Sequence, residues 1–367
     1  MSRSSVPLEE QYELRLGEAL ARRRSPARAG GPSRRPTRVG AELTPGPARL
    51  LASKAGIWVL PPEATASDAF YRILDHCRAH IVANVPAVTQ SREPEGVHQL
   101  RVALRRLRVA LVAFGPDFRT PSLEALRMRA KLLAAGLGPA RDMDVFLGEL
   151  LAPAQADASL QPAFAELRQR AEARRDTAWQ AAVHTVASLA FHNFLRDLTQ
   201  AIEQRVWYEP VAEGGNDERL LRFDLPAREL ADHQLAHCFR RARKRARKLQ
   251  NLDESQRHRL RIALKKLRYT LEFFASLYDA KAVKPFVRRL SLMQDVLGGL
   301  QDLAVARRIL EEIVDAPFGA PEGAQSNLSF AAGTVYGWHL ERASTSWKDA
   351  KLRWKRLVKT DTFWSPS

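Results

Sequence analysis

The sequence predicts an all-α fold made of two related halves, on three observations. From Trp58 onward apolar residues recur at spacings of three and four, Ala, Leu, Arg and Glu dominate, and long alternating β-branched runs are missing. The chain also repeats itself: residues 98–108 read HQLRVALRRLR and residues 258–268 read HRLRIALKKLR, an offset of 160. LGPARDMDV (137–145) faces LGGLQDLAV (297–305) at the same offset, and His76-Cys77 matches His237-Cys238 at 161. Three blocks in one order at one spacing predict two copies, at about 66–208 and about 226–364. Each copy is long enough for about four helices, so the expected architecture is two four-helix bundles related by a pseudo-twofold axis.

In chain order, residues 1–56 are expected to form a disordered basic tail. The run ARRRSPARAGGPSRRPTRVG mixes Arg with Pro, Gly and Ser and cannot nucleate a core. Up to residue 55 the tail carries 11 Lys+Arg against 5 Asp+Glu, so +11 of the net +17 belongs to the rest of the chain. The helical part, 57–365, is interrupted at EPEG (93–96), FGPDF (114–118) and LAPAQADAS (151–159), and more extensively at YEPVAEGGNDE (208–218), where the copies should meet. No stretch approaches the roughly 18 apolar residues of a membrane span, and two cysteines make no disulfide framework, so the expected setting is cytoplasmic with reduced thiols. The excess of Lys+Arg, 58 to 41, favours a polyanionic partner: nucleic acid, an anionic membrane surface or a phosphate polymer.

The repeated helix carries two edges. Placed at 100° per residue, Leu100, Leu104, Leu107, Leu111 and Phe114 form a core stripe, while His98, Arg101, Arg105 and Arg108 fall within about 80° of one another on a different side. The copy repeats both, with Leu260, Leu264, Leu267, Leu271 and Phe274 for the core and His258, Arg261, Lys265 and Arg268 for the charge. The alternating Glu that normally neutralises a solvated helix face is missing from this edge. Stacked cations repel by roughly 1 kcal/mol per close pair in water, and an anion relieves that repulsion. A second basic stripe is expected at His237, Arg241, Lys244 and Lys248, with His76 and His80 at the start of the matching stripe in the first copy; Arg127, Arg129 and Lys131 add charge ahead of LGPARD. The geometry inferred is a channel in which the two cationic edges face each other and a linear polyanion threads between them. Guanidinium forks bind phosphate oxygens bidentately, ammonium groups act as mobile point charges, and a histidine beside phosphate gains charge, so weak acidification should tighten binding.

Catalytic and metal chemistry find little support. Adjacent residues such as His76 and Cys77 point about 100° apart on a helix and do not chelate one ion, so no metal and no cofactor is expected. Asp142 and Asp302 are read as partners that orient arginines; His184, His192, His233 and His339 are read as structural. No nucleophile–base signature and no glycine-rich phosphate loop appears. Trp338, Trp347, Trp354 and Trp364 are expected to close the last bundle.

At VHQLRVALRRLR, LGPARDMDV, HRLRIALKKLRYTLEFF and LMQDVLGGLQDLAVA, with IWVLPPEATASDAF before them and AAGTVYGWHL after, the sequence resembles the CHAD family, over roughly 57–365. The resemblance implies two four-helix bundles around a basic central pore and non-enzymatic binding of inorganic polyphosphate, commonly at bacterial polyphosphate granules. On matching positions, the implied ligand-facing residues are His98, Arg101, Arg105, Arg108, His258, Arg261, Lys265 and Arg268, with Arg106 and Lys266 contributing from the flank. Family members often carry a triphosphate-tunnel β-barrel, of which no counterpart is read here. Two departures stand out, Gln301 opposite Arg141 and Ala190 where a basic residue is common. The rival reading is a non-specific nucleic-acid-binding helical protein, supported by RARKRARK and the ARRR run; against it, no aromatics interleave the cations for base stacking.

Overall fold

Prolines and short capping side chains set where the helices begin. The computed structural model describes residues 51–56, 58–151, 161–209, 218–315 and 322–364; the expected tail up to residue 50 and the breaks at 152–160 and 210–217 lie outside these residues. Helix α1 (Ala66–Thr89) starts after Thr65, whose hydroxyl accepts the Asp68 N–H at 3.1 Å. Helices α2 (Pro94–Ala113) and α3 (Pro121–Gly136) each open on proline, where a missing N–H costs nothing, and Thr120 caps the second. Next come α4 (Gly138–Val145), a π-helical turn at Phe146–Leu150, α5 (Gln161–Ala187) and α6 (Leu189–Glu203), the last capped by Ser188. After a single turn at Glu218–Leu221 follow α7 (Ala227–Arg245), α8 (Glu254–Phe274), α9 (Ala280–Val314), α10 (Glu322–Lys348) and α11 (Ala350–Val358). Helix α8 begins in a reciprocal capping box between Asp253 and Gln256.

The fold is all-α, with no strand among the described residues. Its eleven helices there exceed the eight that two four-helix bundles need, and the cause is local. Leu137, Gly138 and Pro139 split α3 from α4, whereas α9, which spans the matching block, runs unbroken for 35 residues. Helix breaks at Ser188 and Asp349 add two more. Helix α2 also starts inside the expected EPEG break, because Pro94 suits a first helical position.

Two apolar cores hold these helices. The larger joins α1, α2, α3, the second half of α5, α6, α7, α8, α11 and the first half of α9, and within it Phe114 meets Phe274 at 5.5 Å. Gly96 lets α1 and α2 approach closely, since a side chain there would meet the Ala87 methyl at 2.8 Å. The smaller core gathers Met143, Phe146, Leu150, Phe164 and Leu167 with Ala306, Ile309, Leu310, Ile313 and Val335, so two segments far apart in the chain build it. Before α1, Ser53, which falls in the stretch read as tail, exchanges hydrogen bonds with Asn84 at 3.0 and 2.8 Å. Thr65 and Pro226, the residues preceding α1 and α7, pair with each other in one antiparallel bridge.

The expected core stripe is buried on both helices, Leu104 and Leu264 completely. Leu104→Ala or Leu264→Ala should therefore cost roughly 2 to 5 kcal/mol, read from chemical denaturation, and a loss under about 1 kcal/mol would show that the site collapses around the cavity. Trp347, Trp354 and Trp364 pack on the larger core, but Trp338 is exposed, with the Arg342 guanidinium 5.4 Å from its ring.

Candidate functional site

Helices α2 and α8 lie against each other and point their cationic edges into a common region. On α2, His98, Arg101, Arg105 and Arg108 are half-buried; on α8, Arg261, Lys265 and Arg268 are half-buried and His258 is exposed. The charges act on one another across the two helices. Burial, then the positive charges of Arg105, Arg261 and Arg268, lower the Lys265 ammonium to about 6. His98 falls to about 4, again by burial first, with Arg141, Arg105 and Lys265 also disfavouring its cation. Arg105 likewise bears on Arg261 and, 160 positions along, on Lys265, so the two edges share one electrostatic neighbourhood.

Hydrogen bonds within the region fix part of it. Arg101 Nη1 donates to Ala134 O at the end of α3 (2.6 Å), a place where cations complement exposed carbonyls. Gly138 makes room for it, because a side chain there would stand 3.0 Å from Arg101 Nη1. Arg268 donates to Glu272 at 2.8 Å and to Gln294 at 3.3 Å. By contrast, the Nε atoms of Arg108 and Arg261 are buried without a hydrogen-bond partner, donors that cost free energy until something accepts from them. His258 Nδ1 donates to Gln301 Oε1 at 2.6 Å, which leaves its Nε2 for a ligand. Asp142 accepts from Arg308 at 3.0 Å, and Asp302 sits beside Arg261 and Lys265; burial raises both carboxyl groups.

Several expected residues lie elsewhere. Arg106 is in the core, not on the flank: its side chain is 8% exposed, pairs with Glu272 at 2.8 Å and faces the Phe273 ring. His76 is stacked on Trp58 and His80 is buried against Ser53 O at 3.1 Å, so neither begins a cationic stripe; burial and the nearby Arg106 lower each to about 4. Arg129 pairs with Asp197 at 2.7 Å. Lys131 is exposed on α3. On the outer side, His237, Arg241, Lys244, Lys248 and Lys266 are all exposed, and Lys266 feels Arg241, Arg127 and Arg108, which links this edge to the inner one. Sequence reasoning gave Arg141 no binding role and passed over Glu272. The first lies in the repeated LGPARD block and acts on His98 and Arg101; the second stands four residues past Arg268, where its matching position is Val112.

The CHAD domain model matches residues 72–311. Among solved structures, the CHAD domain from the plant Ricinus communis is 29% identical, with a TM-score of 0.70 over 85% of this chain and 98% of that one. PptA from Streptomyces chartreusis is 16% identical, with a TM-score of 0.56 over 80% of this chain and 100% of that one, a likeness of fold. No curated protein sequence matches the chain.

Proposed function

The chain belongs to the CHAD domain family, and from that membership we propose that it binds inorganic polyphosphate, without catalysis, in a basic channel between α2 and α8, at polyphosphate granules. The observation that carries this reading is the meeting of two cationic edges from distant parts of the chain, with Arg105 acting on both Lys265 and Arg261. Half-buried among three arginines, Lys265 is held mostly neutral in the free protein, and closely spaced phosphates restore its charge as no single small anion would. His98, Arg101, Arg105, Arg108, His258, Arg261, Lys265 and Arg268 line the channel; Lys266, Arg241, His237, Lys244, Lys248 and Lys131 extend it along the surface, and Arg106 holds Glu272 behind it.

Two matching halves about a pseudo-twofold axis are part of the proposal. Helix starts support it, with Ala66, Pro94, Gln161 and Leu189 recurring as Ala227, Glu254, Glu322 and Ala350. So do the Thr65–Pro226 bridge and the Phe114–Phe274 contact, in which a residue meets its own counterpart, as happens at a twofold axis. The domain so defined runs from 57 to 365, and no described helix is long and apolar enough to cross a membrane. Asp142 and Asp302 orient arginines rather than perform chemistry.

Competition tests the ligand. Duplex DNA or RNA, added at equal phosphate concentration, should displace little labelled polyphosphate; displacement at parity would assign the basic surface to nucleic acid.

A further inference from the structure

Helix α10 carries a second seam, turned away from the core it helps to build. Leu328, Ala331, Val335, His339 and Ala343 are buried, while Ser326, Phe330, Gly333, Gly337, Leu340 and Ser344 are all exposed and follow one another at spacings of four and three. That spacing keeps a line of residues on one side of a helix, and it is the spacing by which one helix receives another. Phe330 is 56% exposed and Leu340 43%, and Trp338, with Arg342 against its ring, borders the line. We propose that this seam joins two copies of the chain, packed antiparallel about a twofold axis level with Val335. The seam contains no residue of α2 or α8, so the dimer stands apart from the anion-binding reading.

The glycines call for a partner. Gly333 and Gly337 each weaken a helix interior, yet neither is crowded, since a side chain at either would meet nothing within 4 Å. No contact among the described residues accounts for them, and a helix laid against them approaches as closely as helices can. The order of residues says which partner, because the seam reads alike in both directions. Turned about the level of Val335, it sets Gly333 against Gly337 of the other copy, Phe330 against Leu340 and Ser326 against Ser344. Bulk meets bulk and backbone meets backbone, the self-complementarity that a twofold interface demands. A parallel pair would bring Glu341 and Arg342 onto their own counterparts; the antiparallel pair sets them opposite Ser329 and Leu328 and opposes the two helix dipoles. Net charge favours the same face. Residues 138–175 and 300–348, the segments that build the smaller core, carry 9 Lys+Arg against 12 Asp+Glu in a chain of net +17. Two such chains repel through their basic surfaces, but here each meets a part of the other that has no excess of cations.

The experiment is sedimentation velocity of the full chain over a concentration series up to about 100 μM, where a contact of even modest affinity is populated. The wild type should pass from monomer to dimer. Gly333→Gln/Gly337→Gln, which puts good helix formers into open space, should keep its helicity and its polyphosphate binding but weaken dimerisation by about tenfold or more. Register is read by disulfide formation in a Cys238→Ser background: chains with Phe330→Cys, mixed with chains with Leu340→Cys, should form the mixed link in preference to either symmetric one. That cross-link decides the matter if the glutamine pair upsets folding. A wild-type monomer throughout the series, a dimer that survives in the glutamine variant, or a preference for symmetric links would each overturn the proposal. A monomer in which the Phe330→Cys thiol resists alkylation would give the face to another segment of the same chain instead.

Discussion

Arg105→Glu combined with Lys265→Glu will remove polyphosphate binding while the helices stay folded and the melting temperature holds or rises. In the wild type Arg105 has Arg101 and Arg108 near it, and the charged form of Lys265 is disfavoured by burial and by Arg105, Arg261 and Arg268. Carboxylates in their place face arginines, so repulsion of roughly 1 kcal/mol per close pair becomes attraction. For the ligand the same exchange removes two phosphate contacts and adds two anions. Affinity should fall on the order of 100-fold, and the slope of log affinity against log salt should shrink by about 2, by analogy with nucleic-acid phosphate contacts. Titration of labelled polyphosphate across a salt series, with circular dichroism and thermal melts of the same samples, measures both sides. Unchanged affinity would remove the channel; loss of helicity would make Arg105 and Lys265 structural residues.

The second large effect is a proton taken up on binding. Free Lys265 titrates at about 6, so at neutral pH it is mostly an amine, and phosphate placed beside it restores the ammonium. Between the free value and the raised bound value, affinity should drop as pH rises, by up to about tenfold per pH unit for one linked proton. Calorimetry at pH 7.5 in buffers of different ionisation enthalpy should report the uptake. Lys265→Arg, charged throughout, should bind with no such uptake and a flat pH profile over this range; uptake that persists in Lys265→Arg would assign the proton elsewhere. The sign for stability runs the other way. Lys265 is neutral when folded and protonated when unfolded between about 6 and the ordinary lysine value near 10.4, so the ligand-free protein gains stability across that window as pH rises and is weakest below it. In the ligand-free protein His98 is likewise neutral down to about pH 4, so any charge it carries at neutral pH comes with the ligand.

The cationic edge was legible because helical periodicity alone aligns His98, Arg101, Arg105 and Arg108, and the duplicate made the same pattern hard to dismiss. The family, and the all-helical class, were legible for the same reason. What periodicity does not carry is how helices dock. Arg106 is one residue from Arg105 and chemically identical, yet α8 delivers Glu272 to it and buries the pair. Nothing local marks His76 for stacking under Trp58. The split between α3 and α4 could be seen in Gly138-Pro139, but the unbroken α9 opposite Gly298-Gly299 shows that glycine permits a break and does not impose one.

The smaller core has a consequence for synthesis. Met143, Phe146, Phe164 and Leu167 leave the ribosome early, but the residues that cover them begin at Ala306. At ordinary elongation rates that is a delay on the order of ten seconds. Through that interval a nascent chain carries an uncovered greasy surface, so this protein's yield in a cell should respond to chaperones and to translation speed as well as to its final stability.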